Sequence, residues 1–515
     1  MKLLIVVMST VLFFSHLNLF AEVKLPQVFG NNMVLQRDMP TPIWGWASPG
    51  EEISISLVRF DGEVIYSDTK VSDENGDWKF IFPATPAGGP YRVTVGGSDT
   101  IEVTNIIKLT DILFGEVWVC SGQSNMEWSV NISNDRDAEI AAANYPNIRL
   151  FHIPKETSGV PVLDVNAQWR ATTPETVRHF SAVAYYFGRH LHKELDVPIG
   201  LINTSWGGSR IEPWTPPEGF ASVPALTSIS EEIQDIDKDF RMQLPQKIQE
   251  IETWITETRE ALENSGTIFE MPQVVHPLSN GGRPTAMYNN MIYPIVPFAI
   301  RGALWYQGES NMGEGMMYHE KMKALINGWR EVWKQGDFPF YFVQLAPFNY
   351  GGDDTARLAR LWEAQTATLA LPNTGMVVTT DIGNIRDIHP RNKQDVGLRL
   401  ALWALAKTYN KDDLVYSGPL YKSMEVEGST IRISFEHVGS GLMSRDDEPL
   451  TWFQIAGEDK QFVEATAVVD GGTVVVSSDS VESPVAVRFG WHQNAEPNLM
   501  NMEGLPASPF RTDSW

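Results

Sequence analysis

Two textures alternate along this chain. From residue 22 to about 108, short apolar stretches are separated by turn signals: Ala47-Ser48-Pro49-Gly50, Asp61-Gly62, Asn75-Gly76-Asp77 and Ala87-Gly88-Gly89-Pro90. Ile53-Ser54-Ile55-Ser56-Leu57 alternates with the period of two that exposes one face of a strand and buries the other. This spacing predicts a small β-sandwich over 22–108. Near residue 111 the pattern changes. Apolar runs at 112–120, 197–202, 300–305, 338–345 and 376–380 alternate with helical periodicity at about 180–195, 317–335, 356–371 and 392–409. In the last of these, Val396, Leu400 and Trp403 form one apolar row and Leu398, Leu402 and Leu405 another, which predicts a helix with a wide buried face. Strands alternating with helices predict an α/β domain over 109–410 whose parallel sheet is covered on both faces. An insertion at about 215–285 interrupts it. Residues 230–264 are charged with a helical period, and 265–290 are rich in Pro, Gly and Asn and predict a long loop. From 411 to 515 the β texture returns, with Thr430-Ile431-Arg432-Ile433-Ser434-Phe435 alternating and strand-like runs at 473–476 and 485–489.

Composition narrows the function. The length of 515 residues exceeds one hydrophobic core, in keeping with this division into domains. A net charge of -24 repels nucleic acid and anionic membrane surfaces at long range, so neither is expected as a partner. The single cysteine, Cys120, excludes an intrachain disulfide and a cysteine-based zinc site, and no metal or cofactor is expected. Lys2, the apolar run 3–14 and Leu19-Phe20-Ala21 read as a signal peptide over 1–21, too short in its apolar part to span a bilayer. The mature protein is therefore expected to be exported, periplasmic or secreted, without membrane insertion.

In a parallel sheet, reactive groups gather beyond the C-terminal ends of the strands. After the first predicted strand comes Gly122-Gln123-Ser124-Asn125-Met126, where Gly122 permits a sharp turn and Ser124 offers a hydroxyl and a free backbone N–H. After the second comes Asn203-Thr204-Ser205-Trp206-Gly207-Gly208-Ser209-Arg210. The third is followed by Trp305-Tyr306-Gln307-Gly308-Glu309-Ser310-Asn311, with two side-chain amides and a carboxylate. The fifth leads to Asp381 and then Asp387-Ile388-His389-Pro390, an acid two residues from a histidine. Each block alone has an ordinary structural explanation, a helix cap or a tight turn. Together they are the parts of nucleophilic acyl transfer: a hydroxyl, a base and donors for an oxyanion.

At these residues the chain resembles the sialate O-acetylesterase family, a branch of the SGNH hydrolases. The matching blocks are GQSNM at 122–126, TSWGG at 204–208, WYQGESN at 305–311 and DIHPRNKQDVG at 387–397, with VFGNNMVLQRDMPTPIWGWASPGE at 28–51. The resemblance implies a flavodoxin-like three-layer SGNH core flanked by N- and C-terminal β-sandwich-like domains, with Ser124 as nucleophile and His389 as base. It implies an oxyanion hole from the N–H groups of Ser124 and of Gly207 or Gly208. SGNH hydrolases place an aspartate three residues before the histidine; position 386 here is Arg, so Asp387 is the expected orienting acid and Asp381 the fallback. The usual Gly-x-Asn-Asp block is replaced by QGESN, so Gln307 is the expected third oxyanion donor and Asn311 the second choice. Gln123, Arg210 and Glu309 are expected to bind substrate.

The expected reaction is hydrolysis of an acetyl ester on a sugar or glycan, O-acetylated sialic acid first, with acetylated xylan or another plant polysaccharide as the alternative. Arg210 could meet a sialate carboxylate; it could equally pair with Glu212. A carbohydrate-binding protein with an inactive core is a further reading, which the intact Ser124 and His389 disfavour. A two-carboxylate glycosidase using Glu309 and Asp387 would leave Ser124 without a task.

Overall fold

Residues 23–97 and 105–515 are described by a computed structural model. The segment read as a signal peptide lies outside the described residues. Among the described residues no helix is long and apolar enough to cross a membrane.

The central sheet contains seven strands: β1 (Ile106–Gly122), β2 (Tyr145–His152), β3 (Trp169–Thr172), β4 (Ile199–Ser205), β5 (Gly302–Tyr306), β6 (Phe340–Val343) and β7 (Thr374–Val377). Their order is β7-β6-β5-β1-β4-β2-β3, parallel throughout except for the antiparallel β2–β3 edge. All residues of β4, β5 and β6 are buried, which explains why these strands read as unbroken apolar runs rather than alternations. Helices Ala182–Leu195, Met317–Trp333, Arg357–Ala367 and Lys393–Lys407 lie close to their predicted spans. Gly397 lets the last of these approach the first: a Cβ there would stand 2.6 Å from Cβ of Tyr186.

Strands β2 and β3 were not anticipated. Tyr145–His152 carries Pro146, Asn147 and Arg149, so no apolar period marks it. The buried Arg149 is accommodated by an ion pair with Asp111 at 2.9 Å and a hydrogen bond to the Pro146 carbonyl at 2.6 Å. Such partners are invisible to a periodicity argument. The expected boundary at 108/109 falls inside β1. The first part of this 17-residue strand pairs with Gly88–Gly97, and the later part forms the centre of the seven-stranded sheet. The N-terminal strands and the central sheet thus share one strand and one continuous apolar core.

In the insertion, a helix spans Thr227–Glu263 and buries only Ile233. The following stretch, expected as a long loop over 265–290, contains short helical turns at Pro277–Ser279 and Tyr288–Ile292. Residues 420–511 form two four-stranded antiparallel sheets and a two-stranded one around a separate core that includes Ile431, Ile433, Val474, Val476, Val487 and Phe489.

Candidate active site

Strand register assembles the site. Gly122 pairs with Ser205 on one side and with Tyr306 on the other, so β4, β1 and β5 end at the same level. β1 sits between strands whose connections run to opposite sides, the position at which open α/β sheets leave a crevice. Gly122 has a φ of 141° and its Cα faces the Tyr306 carbonyl; a Cβ there would lie 2.2 Å from that oxygen. The chain can therefore turn sharply, and Ser124 opens the short helix Ser124–Glu127.

The loop after β7 brings His389 to this point. Its Nε2 lies 2.8 Å from Ser124 Oγ, within hydrogen-bond reach. For Nε2 to accept the hydroxyl proton, the ring must carry its own proton on Nδ1. The imidazole stacks on the Trp128 indole with centroids 4.8 Å apart and planes 17° apart. Asp387 Oδ1 accepts the backbone N–H of His389 at 3.0 Å and stands 3.9 Å from Nδ1, too far for a direct hydrogen bond to the ring. The fallback acid, Asp381, is held by Arg399 through bonds of 2.7 and 2.5 Å.

A buried polar chain lies behind the pair. Asn125 Nδ2 donates to Glu309 Oε1 at 2.6 Å and to the Ile388 carbonyl at 3.0 Å, and Asn125 Oδ1 accepts from Lys393 Nζ at 2.6 Å. Lys393 also lies over the rings of Tyr306 and Trp128. Burial lowers its ammonium pKa to about 7, against the opposing pull of Glu309 and Asp387. Burial likewise pushes the Glu309 carboxyl up, although the Asn125 amide and Lys393 act the other way. The Glu309 Oε2 atom is buried and has no hydrogen-bond partner among the described residues. For His389, burial first and the Lys393 charge second lower the pKa, while Asp387 raises it. A lowered histidine pKa keeps the neutral, proton-accepting form further into acid. Replacing Lys393 by Met removes one of the lowering influences. The acid limb of the kcat/KM profile is therefore expected to move to higher pH, as a pH titration of wild type and variant would show. An unmoved limb would separate Lys393 from the titration of His389.

Several of the expected oxyanion donors have hydrogen-bond partners within the fold. Gly207 N–H donates to Glu127 Oε2 at 2.6 Å, and Glu127 in turn pairs with Lys155. Gln307 is fully buried; its amide N–H group donates to Asn311 Oδ1 at 2.8 Å and to the Ser209 carbonyl at 3.2 Å. Asn311, also fully buried, donates to Glu212 Oε2 at 3.0 Å, while its oxygen accepts the Ile211 N–H at 3.0 Å. Buried amides need protein partners, and here they tie the β5 loop to the β4 loop. Ser124 N–H and Gly208 N–H have no partner among the described residues. Gln123 Oε1 accepts the N–H groups of Gly308 at 3.2 Å and Ser310 at 3.4 Å, and its own NH2 has no partner among the described residues. Arg210 binds Glu212, Glu314 and the Ser310 carbonyl. Asn125, Glu127, Trp128 and Lys393 were not singled out from the sequence, although all four lie within seven residues of Ser124 or His389. The runs GQSNMEW at 122–128 and HPRNK at 389–393 were the available signals.

Comparison with known proteins adds to this geometry. A family model described as carbohydrate esterase, sialic acid-specific acetylesterase, matches residues 115–238 and 275–405. The sialate O-acetylesterase of Rattus norvegicus is 30% identical over 428 residues, covering 77% of this chain and 75% of that protein. The chain belongs to the sialate O-acetylesterase family of carbohydrate esterases. It is a carboxylic ester hydrolase. The sialate O-acetylesterase of Homo sapiens is 28% identical over 529 residues, covering 95% of this chain and 92% of that protein. Among solved structures, a novel carbohydrate acetylesterase from Xanthomonas citri superposes with a TM-score of 0.79 at 38% identity, over 96% of this chain and 100% of that one. The family match spans the blocks that carry Ser124, Gly207, Gln307 and His389 and omits most of the long Thr227–Glu263 helix.

Proposed function

We propose that this esterase removes acetyl groups from sugar hydroxyls through an acetyl-enzyme formed on Ser124, within a core of the SGNH three-layer type. The observation that carries the reading is the 2.8 Å approach of His389 Nε2 to Ser124 Oγ just beyond the C-terminal end of β1. His389 takes the hydroxyl proton as Ser124 Oγ attacks the acetyl carbonyl. The oxyanion is received by the N–H groups of Ser124 and Gly208, with the Gln123 amide as a third donor. Each such donor is typically worth about 3 kcal/mol. His389 then protonates the departing sugar oxygen, and water repeats the sequence on the acetyl-enzyme, releasing acetate. The pattern of residues 1–21 supports an exported enzyme.

Asp387 acts in this scheme as a charge beside the imidazole and as an anchor for the His389 backbone, not as a hydrogen-bond partner of Nδ1. Asp387→Asn is therefore expected to lower kcat by about tenfold, where loss of a directly bonded triad aspartate costs about 10⁴-fold. A loss of about a thousandfold or more in steady-state kinetics would mean that the carboxylate closes on Nδ1 in the working enzyme.

The names of the curated relatives point to O-acetylated sialate. One observation favours a second reading, acetyl esters on neutral polysaccharide such as xylan: the Arg210 guanidinium, the sequence candidate for a sialate carboxylate, is already paired with Glu212 and Glu314. Acetate release from O-acetylated sialic acid and from acetylated xylan, measured side by side, separates the two. Release from neither, across a panel of acetylated sugars, would sink the carbohydrate assignment.

A further inference from the structure

The cleft of about 610 Å³ between the C-terminal sheets and the segment that precedes the Arg357–Ala367 helix has no role in the chemistry above. Its walls include Trp452, His492, Trp491, Gln454, Glu464 and, from the catalytic side, Thr355. We propose that this cleft binds a neutral pyranose unit of the glycan that bears the acetyl ester, with Trp452 as its stacking platform. The choice of a glycan rests on the proposed acetylesterase function; the cleft itself does not.

Four observations support it. First, Trp452 is 39% exposed, although a large indole gains most from burial. Its ring is backed by His492 at 5.6 Å with planes 28° apart, which stiffens it. Second, Trp452 has a φ of 64°, a left-handed conformation that is a genuine outlier for a bulky side chain. The conformation is enforced from both sides. Gly490 N–H donates to the Trp452 carbonyl at 2.9 Å, and Thr451 N–H donates to Asn498 Oδ1 at 3.0 Å. Asn498 is itself buried and fixed by bonds to Ser444, Asp446 and the Pro449 carbonyl. Strain held in place this way, on a residue that faces solvent, is characteristic of ligand clamps.

Third, the polar lining suits hydroxyl groups. Gln454 and Glu464 are partners across an antiparallel strand pair, and neither side chain has a hydrogen bond or ion pair among the described residues. An amide and a carboxylate beside an aromatic face can accept and donate around the rim of a sugar ring. Arg488 offers no free positive charge, since its guanidinium is bound by both oxygens of Asp513 at 2.8 and 2.9 Å. Among the described residues that line the cleft, the uncompensated charge is thus the Glu464 carboxylate, which disfavours an anionic sugar and selects a neutral one.

Fourth, the cleft is connected to the catalytic loop. Asn349 N–H donates to the Ile385 carbonyl at 3.0 Å, four residues before His389. Phe348 N–H donates to the Gln493 carbonyl at 3.0 Å, and Gln493 N–H donates to the Thr355 carbonyl at 2.8 Å. The 348–355 segment therefore has the His389 loop on one side and the cleft on the other. A chain of sugars seated at Trp452 could present an acetylated neighbour to Ser124.

The test uses the full chain with Ser124→Ala, which allows binding without turnover, and unesterified xylohexaose and lactose as probes, followed by isothermal titration calorimetry. Binding of at least one probe is expected, weakened tenfold or more by Trp452→Ala and largely retained in Trp452→Phe, which keeps a stacking ring. Glu464→Ala, at an exposed strand position, is expected to weaken binding about threefold to fivefold and covers the case in which Trp452→Ala does not fold. In the active enzyme, Trp452→Ala should raise the KM for acetylated xylo-oligosaccharide at least fivefold relative to the KM for 4-nitrophenyl acetate. No binding of either probe, or equal binding by the parent, Trp452→Ala and Glu464→Ala proteins, overturns the proposal. Failure of the acetylesterase reading would show separately, as an enzyme that binds these sugars at Trp452 but releases no acetate from their esters.

Discussion

Ser124→Ala is expected to lower kcat for acetyl-ester hydrolysis by about 10⁴–10⁶-fold, with little change in KM and none in thermal stability. The reasoning is geometric. The Ser124 hydroxyl is the oxygen that His389 Nε2 reaches at 2.8 Å, and no other hydroxyl among the described residues is hydrogen-bonded to that ring. Removing it leaves donors for the oxyanion but no nucleophile, so only a residual rate assisted by those donors should remain. The loss corresponds to about 5–8 kcal/mol of transition-state stabilisation. Stability should hold because Ser124 is partly exposed, so loss of its hydroxyl creates no cavity in the core. His389→Ala should fall in the same range, and the double variant should be no slower than either alone, since the two groups act as one unit. Additive losses, or a Ser124→Ala enzyme within tenfold of wild type, would refute the acetyl-enzyme scheme.

Glu212→Gln is expected to destabilise the catalytic domain by about 3–5 kcal/mol, the usual consequence of breaking a buried ion pair from one side. Glu212 has a side-chain exposure of 11% and accepts Lys321 Nζ at 2.7 Å, Arg210 Nη2 at 2.9 Å and Asn311 Nδ2 at 3.0 Å. Burial alone would raise its pKa, but the Arg210 and Lys321 hydrogen bonds prevail and hold it down to about 2. The sign of the pH dependence follows. A carboxylate depressed in the folded state contributes its full stability above its unfolded value, and that stability fades as pH falls toward the folded pKa. Urea unfolding followed from pH 6 down to pH 2 should therefore show wild type losing stability below about 4.5, and Glu212→Gln losing less over the same interval. Equal slopes would remove Glu212 as the source. The variant should also slow catalysis, because the same carboxylate fixes Asn311 and Arg210, and through them the loop carrying Gly208.

Much of this molecule is legible in local pattern. The fully buried strands β4, β5 and β6 announce themselves as apolar runs because both faces of the sheet are covered, and the helices by their 3.6-residue period. Strand-to-loop junctions mark the places where side chains can leave the sheet, so Ser124 and His389 could be singled out from position and residue type. β2 could not, since its interior charge, Arg149, is tolerated through partners elsewhere in the fold, the Asp111 carboxylate and the Pro146 and Asn32 carbonyls.

The sequence by itself determined the alternation of strands and helices and the polar blocks at the strand ends, because these are written in short-range periodicity; the roles expected of Ser124 and His389 came from the resemblance of those blocks to a family, and the fold decided that the two side chains approach to 2.8 Å. The tertiary structure decided which of the offered groups remain available. Gln307, Asn311 and the Gly207 N–H are donors in any sequence reading, yet the fold engages them with Asn311, Glu212 and Glu127. Asp387 is two residues from His389 in the chain, yet the loop directs its carboxylate to the backbone N–H and leaves the ring nitrogen 3.9 Å away. Lys393 is only one more polar residue near a helix start until packing removes its water and sets it against Asn125, next to Ser124. Hydrogen-bond availability and desolvation depend on what lies across the fold, and a linear pattern carries no record of that.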